Sequence, residues 1–425
     1  MQKFYDINSC LDWLYLKGGS KGKFNLDNIK YLLDKLDNPQ DKIKVIHIAG
    51  TNGKGSTSNF LASVLSRKYK CGLFTSPYMN DITDSFKING VQMSEKLFIK
   101  YINKLILIID AMEKNGKFIT YFEIITSIMY KYFYDQNVDF AVVEVGLGGK
   151  LDSTNIIKKP IASVIVTISK DHQNVLGNTI EDIAENKAGI IKNNCSVFMY
   201  PQIDTVHKIF EQKAIKLNCE FNTFSISEID ILKISEVENV FNFRTYKNMK
   251  SCLIGKHQVY NAALALTVID YLKNNYEISE KDIYDGIYLA RNTGRLEVVS
   301  KNPKIIFDGA HNKESIISLI DTINCLKFNR LIVGFSMLKD KDISYALSAL
   351  SKISDELIVT TVDYPGRNYS ETELNEIIKE YEINIKVISN NFEAFQYTKS
   401  LASEDDLILW CGSLYLIREL LKYLD

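Results

Sequence analysis

The stretch Ile46-His47-Ile48-Ala49-Gly50-Thr51-Asn52-Gly53-Lys54-Gly55-Ser56-Thr57 decides how this chain is read. Four apolar-leaning residues run into three glycines and a lysine. That pattern predicts a buried strand, a tight turn and the first turn of a helix. Such a turn aims backbone N–H groups inward, and the helix N-terminus adds partial positive charge. Glycines let the backbone approach phosphate oxygens with no Cβ in the way. Lys54 can then reach terminal phosphates, and Ser56 or Thr57 can meet a magnesium ion. The usual spacing is GxxxxGK[ST]; here the first glycine lies three residues before the second, and another follows the lysine. A glycine-rich turn with a surface lysine is the bland alternative. The position between a hydrophobic strand and a helix favours a nucleoside triphosphate, with Asn52, Gly53, Lys54, Gly55, Ser56 and Thr57 as its ligands.

The chain around this turn has 425 residues, more than one hydrophobic core usually serves, so two or three domains are expected. Hydrophobic residues make up 46%, which excludes a disordered chain. Fifty-one basic residues against 52 acidic ones leave a formal charge of −1, no footprint for nucleic acid or an anionic membrane. Seven scattered cysteines, with no CxxC pair, read as buried free thiols in a reducing compartment rather than a metal or disulfide framework. The N-terminal MQKFYDINSCLDWLYLKGG has no clean h-region, and LFIKYINKLILIIDAM is broken by lysines at helical spacing. A cytoplasmic protein with no membrane span is expected.

Strand and helix patterns alternate from residue 43. KVIHIAG, CGLFTSP, DFAVVEVG and ASVIVTI read as strands. Helices are expected after the phosphate loop and near 94–114, 120–135, 179–192, 257–274 and 279–290. Residues 195–254 look strand-rich and irregular. The charged stretch ARNTGRLEVVSKNPK (290–304) is the best linker candidate. Beyond it IIFDGA, RLIVGF, ELIVTTV, INIKVI and DLILWCG alternate with helices over about 130 residues. The reading is two α/β units, each with a mostly parallel sheet, and ligands at the carboxyl ends of the strands.

GTNGKGS resembles the phosphate loop of the Mur ligase superfamily and, within it, of folylpolyglutamate synthase/dihydrofolate synthase. The resemblance continues in family order through FTSPYMNDITDSFKINGVQMS (74–94), ITYFE (119–123), VVEVGLGGKLDSTN (142–155), ISKDHQNVLGNTIEDIAENKAGIIK (168–192) and LIGKHQVYNAALA (253–265). TGRLEVV (293–299), IIFDGAHN (305–312) and MLKDKD (337–342) complete it. The fold it implies is α/β: a P-loop-containing Mur-ligase-like ATPase domain over 1–292, then a smaller Rossmann-like glutamate ligase domain over 297–425.

The implied activity is an ATP-dependent ligase that adds L-glutamate to a folate, and to dihydropteroate, through an acyl phosphate. Such chemistry needs magnesium beside the phosphates and hard oxygen ligands. Glu144 in VVEVG is costly inside an apolar run unless it is paired or on a metal; a salt-bridged strand-end glutamate is the alternative. By resemblance Ser76, Glu144, His172 and Lys187 hold two magnesium ions, with Lys187 carbamylated so that a cation becomes an anionic ligand. Alone, Ser76 would be a turn cap, His172 structural and Lys187 a solvated helical lysine. Thr120 and Glu123 form a T-x-x-E capping box on their own terms. The family uses that segment at the pteroate pocket, where Tyr121 and Phe122 supply aromatic surface. Leu151, Asp152 and Ser153 carry over as folate contacts, with an ordinary capped turn as the alternative. Asn261, Arg295 and Asp308 carry over as ATP contacts, and His311 as a group aligning the phosphoryl transfer. Lys54, Lys187 and His311 are thus the catalytic candidates. The resemblance implies a site assembled when the domains close and exclude water. One two-domain chain suffices for the reaction, so a monomer is expected.

The family's SPH is Ser76-Pro77-Tyr78 here, Asp81 and Asp84 stand where arginine and glutamate are frequent, and WPGR is Asn292-Thr293-Gly294-Arg295. These departures bear on the acceptor pocket. Three alternatives remain: a polyglutamate synthase alone, a cell-wall Mur ligase, and a nucleotide switch without ligase chemistry. About 45 residues precede the loop, too few for a UDP-sugar domain. A switch would not need Glu144, His172 and Lys187 together.

Overall fold

A computed structural model describes residues 3–17, 25–364, 366–381 and 385–424. They fall into two compact units, Met1–Glu228 with Asn261–Leu289, and Ile229–Tyr260 with Ala290–Asp425. In the first unit eight strands form one sheet: β1 (Val45–Ala49), β2 (Cys71–Phe74), β3 (Phe86–Ile88), β4 (Val91–Gln92), β5 (Phe140–Glu144), β6 (Ala162–Ile165), β7 (Ser196–Met199) and β8 (Glu220–Thr223). Their spatial order is β4-β3-β2-β5-β1-β6-β7-β8. Every pairing is parallel except the β2-β3-β4 edge. The central strands β1, β5 and β6 are buried at every position, which explains their unbroken apolar runs.

The expected helices are present as Lys54–Leu65, Glu95–Lys114, Tyr121–Asp135, Ile180–Lys187, Lys256–Leu272 and Glu280–Leu289. The 179–192 helix is shorter than expected: after Lys187 the chain tightens into a 3₁₀ turn, Ala188–Ile190. The sequence reading missed the helix Asp204–Lys216. Its charged face hides the apolar stripe of Val206, Phe210 and Ala214, which packs behind β7 with Val197 and Met199.

The second unit has a three-stranded antiparallel sheet and a six-stranded one. The first is β9 (Ile229–Ile234), β10 (Asn239–Phe243) and β11 (Tyr246–Ser251). The second comprises β12 (Glu297–Lys301), β13 (Lys304–Phe307), β14 (Leu331–Phe335), β15 (Glu356–Val359), β16 (Ile385–Val387) and β17 (Leu407–Cys411), in the order β12-β13-β17-β14-β15-β16. All but β12 run parallel. The stretch read as a linker therefore ends in an antiparallel hairpin, because EVVSK and KIIF pair across a two-residue turn. The first residues of the expected INIKVI strand, 383 and 384, lie outside the described residues.

The phosphate-loop helix Lys54–Leu65 is buried along most of its length, between the sheet and the helix Glu280–Leu289. Gly286 makes that approach possible: a Cβ there would stand 2.4 Å from Val64 Cα. Alanine would gain about 1 kcal/mol of helix propensity. Overpacking against backbone costs about 1–3 kcal/mol, with no rotamer to relieve it. Gly286→Ala is expected to lower stability by about 1 kcal/mol net in urea denaturation; an unchanged or raised midpoint would contradict this packing.

Candidate active site

Strand order brings the expected ligands of the first unit to one edge. The phosphate loop leaves the carboxyl end of β1, whose neighbours are β5 and β6, and β2 lies beyond β5. Glu144 ends β5, Ser76 follows β2, and His172 follows β6. The Ser76 N–H points to Glu144 Oε2 at 3.4 Å. The Glu144 carboxylate is buried.

The loop is shaped by the segment after β6. Thr51 N–H donates to Thr167 O at 2.6 Å, and Asn52 N–H to Thr167 Oγ1 at 3.3 Å. Thr51 Oγ1 donates to Ser169 O and accepts from Ser169 N–H, both at 3.1 Å. The sequence reading missed this clamp, since 115 residues or more separate the partners and only the β1-β6 pairing brings them together. Gly53 is the helix N-cap at φ 95°, a left-handed conformation that favours glycine. A Cβ there would meet Asn261 Oδ1 at 2.5 Å, so Asn261 stands directly over the loop.

Lys54 Nζ donates to Thr51 O at 3.0 Å. Lys187, at the end of its helix, is buried and donates from Nζ to Gly50 O at 2.8 Å. Gly149 passes so close that a Cβ would lie 2.9 Å from Lys187 Cα, and Lys150 N–H bonds Asn186 O at 2.8 Å. Burial, with the charge of Lys54 adding to it, brings the Lys187 pKa down to about 7 against the opposing pull of Asp171 and Asp152. His172 has φ 51°, and its N–H donates to Asp171 Oδ1 at 2.8 Å.

Among the described residues no cluster of three His, Cys, Asp or Glu side chains forms a metal site. The donors at this edge are instead hydroxyls and a carboxylate, with one imidazole. The Thr57 hydroxyl, in the first turn after the loop, is buried without a hydrogen-bond partner. A hard-oxygen set of that kind fits magnesium and not a softer metal.

The acceptor-side candidates also sit in this unit. Thr120 Oγ1 accepts the Glu123 N–H at 3.3 Å, and Glu123 Oε2 accepts the Thr120 N–H at 2.8 Å, so the capping box forms. Phe122 packs against Phe74, 6.3 Å between centroids. Tyr121 stacks on Tyr15 at 6.0 Å, and Tyr15 Oη lies 3.0 Å from Tyr78 Oη. Tyr15 carried no signal in the sequence. Asp152 is buried and shapes its own turn, accepting from Leu147 N–H at 2.7 Å and Thr154 N–H at 2.9 Å. Burial raises its carboxyl pKa against those bonds. Ser153 is buried and Leu151 is exposed. Of the departures, Asp81 caps the turn Ile82–Ser85, and Asp84 pairs with Lys87 at 2.7 Å.

In the second unit Asp308 directly follows β13, accepting from Leu296 N–H at 2.9 Å and Ala310 N–H at 2.8 Å. Burial raises its pKa, while Arg295 nearby and those bonds act in the other direction. His311 Nδ1 lies 2.7 Å from Gly309 O. A carbonyl only accepts, so Nδ1 carries the proton in this contact. Arg295 Nη1, Asp308 and His311 thus gather around Gly309.

Two family models match the chain: the Mur ligase middle domain over residues 48–269, and the Mur ligase glutamate ligase domain over 294–414. The chain is 33% identical to the dihydrofolate synthase/folylpolyglutamate synthase of Bacillus subtilis, over 99% of this chain and 100% of that protein. It resembles the Mycobacterium tuberculosis folylpolyglutamate synthase complexed with ADP and AMPPCP, with a TM-score of 0.88, 26% identity and 98% of both chains covered. It also resembles E. coli FolC in complex with DHPP and ADP, with a TM-score of 0.87 and 26% identity over 100% of this chain and 99% of that one.

Lys187 gives a direct test of the buried edge. Its folded pKa lies below the ordinary value of 10.5, so between about pH 7 and that value the unfolded chain holds the extra proton. Stability therefore rises with pH across that window. Wild type is expected to gain on Lys187→Met as pH rises from 7 toward 10, by up to about 1.4 kcal/mol per pH unit. Parallel stability–pH curves for the two proteins would contradict a buried neutral amine.

Proposed function

The chain belongs to the Mur ligase family, in its folylpolyglutamate synthase/dihydrofolate synthase group, and from that premise we propose how its own residues carry the reaction. It is an ATP-dependent ligase that joins L-glutamate to a folate, and to dihydropteroate in the bifunctional form of the reaction. The observation that carries the site assignment is the convergence of Ser76, Glu144, the phosphate loop and Lys187 at the carboxyl ends of β2, β5 and β1.

The loop N–H groups and Lys54 hold the β- and γ-phosphates. The acceptor carboxylate oxygen attacks the γ-phosphorus, and the bond to the β-bridging oxygen breaks to release ADP. The amine of glutamate attacks the resulting acyl phosphate, inorganic phosphate leaves, and the amine proton is lost as the amide forms. Both steps depend on alignment and on charge neutralisation more than on covalent work by the protein. Ser56, Thr57, Ser76, Glu144, His172 and Lys187 are the residues that would hold magnesium, which supplies neutralisation of phosphate charge when bound. Asn261, over Gly53, is assigned to the nucleotide. In the second unit Arg295 is assigned to phosphate, Asp308 to ribose hydroxyls and His311 to alignment of the transferring group. Thr120, Tyr121, Phe122, Glu123, Leu151, Asp152 and Ser153 are assigned to the folate side, where the capping box and the Asp152 turn hold the shape of the pocket.

The Lys187 amine has the low pKa that carbamylation needs. The neutral Nζ attacks carbon dioxide, an N–C bond forms, one proton leaves and a carbamate anion remains. Free thiols suit the cytoplasm, and we assign the chain there as a monomer.

Two outcomes check these roles. Glu144→Gln is expected to keep ADP binding while lowering folate- and glutamate-dependent phosphate release by about 10²–10³-fold. Unchanged turnover would remove Glu144 from the site. Protein equilibrated with ¹³C-bicarbonate is expected to show a carbamate resonance that Lys187→Arg lacks; a spectrum without that resonance would overturn the modification.

A further inference from the structure

At the edge of the first sheet opposite the phosphate loop, a groove of ≈530 Å³ opens where β6 and β7 begin. Lys158, Lys159, Lys192 and Lys213 line it with Asn193 and Asn194. Four lysines thus border one groove in a chain whose total charge is −1. One carboxylate answers them, Asp41, which bonds Lys158 Nζ at 2.5 Å. Among the described residues Lys159, Lys192 and Lys213 have no carboxylate partner within the 4.0 Å of an ion pair. Lys192 is half-buried and donates to Asn155 O at 3.3 Å. Burial pushes its pKa down, Cys195 acts in the other direction, and Lys213 adds to the lowering, so the two lysine charges feel each other. Lys213 lies in the last turn of the helix Asp204–Lys216, whose C-terminal partial charge of roughly −0.5 offsets only part of one lysine.

The walls are fixed in advance. Asn194 N–H donates to Leu217 O at 2.9 Å, and Asn218 Nδ2 to Asn194 Oδ1 at 2.9 Å. The Cys219 thiol donates to Lys192 O at 3.0 Å. Three lysines with no carboxylate partner border a groove whose backbone is held by these bonds, and an anion entering it gains attraction from them.

We propose that this groove binds a small polyvalent anion, an oligophosphate or an oligocarboxylate. The ligation reaction, at the other ends of the strands, leaves the groove unassigned.

The test uses the full chain saturated with ADP, so that the phosphate loop is filled. Tripolyphosphate and tri-γ-glutamate are titrated separately by calorimetry at low and moderate salt. Binding of either supports the site, and the tighter probe identifies phosphate or carboxylate as its chemistry. Lys159→Gln/Lys213→Gln is expected to weaken binding about tenfold. Lys96→Gln/Lys100→Gln, two exposed lysines on the helix Glu95–Lys114, is expected to leave it unchanged. Acetylation of wild-type protein, read by mass spectrometry, is expected to slow at Lys159, Lys192 and Lys213 when the probe is present. No binding of either probe, equal weakening in both variants, or no protection of those lysines overturns the proposal.

Discussion

A glycine-rich turn has no side chains with which to hold its own shape, so something outside it must. Here Thr167 and Ser169 hold it from one side, and the buried Lys187 amine holds Gly50 O. These contacts satisfy the Thr51 and Asn52 N–H groups and the Gly50 carbonyl. The Thr167 and Ser169 contacts reach the loop because β6 pairs with β1. The candidate site therefore depends on a strand pairing as much as on the residues of the loop.

Burial governs the electrostatics of this edge. Lys187 sits on a short helix that the 147–155 loop covers at Gly149, and that close approach excludes water from its amine. Burying an ammonium is expensive, and a second lysine nearby raises the cost, so the group gives up its proton near neutrality. Asp152 and Asp308 show the opposite response to the same cause, with burial raising each carboxyl while backbone N–H donors hold it in place. At Lys192 burial again lowers the pKa of an ammonium, with Lys213 adding to it and Cys195 opposing it.

Much of this was legible in the chain itself. Central strands such as VVEVG and ASVIVT announce themselves because both faces of a parallel sheet are covered. The T-x-x-E box at Thr120 and Glu123 was readable because both partners lie within one helical turn. What stayed hidden was non-local. The Thr51–Ser169 clamp joins residues 118 apart, and Tyr15 reaches Tyr78 and Tyr121 from a helix that carries no motif. The helix Asp204–Lys216 was masked by its charged face, and the β12-β13 hairpin by the charge density expected of a linker. The metal and pterin roles remain proposals drawn from family resemblance; the geometry supplies the neighbours of those residues.

The central claim is that one phosphate loop serves glutamate ligation. Phosphate release from ATP with magnesium and glutamate, compared with dihydropteroate, with tetrahydrofolate and with no acceptor, tests it most directly when the products are weighed by mass spectrometry. The account predicts release only when acceptor and glutamate are both present, with each acceptor heavier by whole glutamyl residues. Release that ignores the acceptor, or acceptors that gain no glutamyl mass in folded, ATP-binding protein, would contradict it.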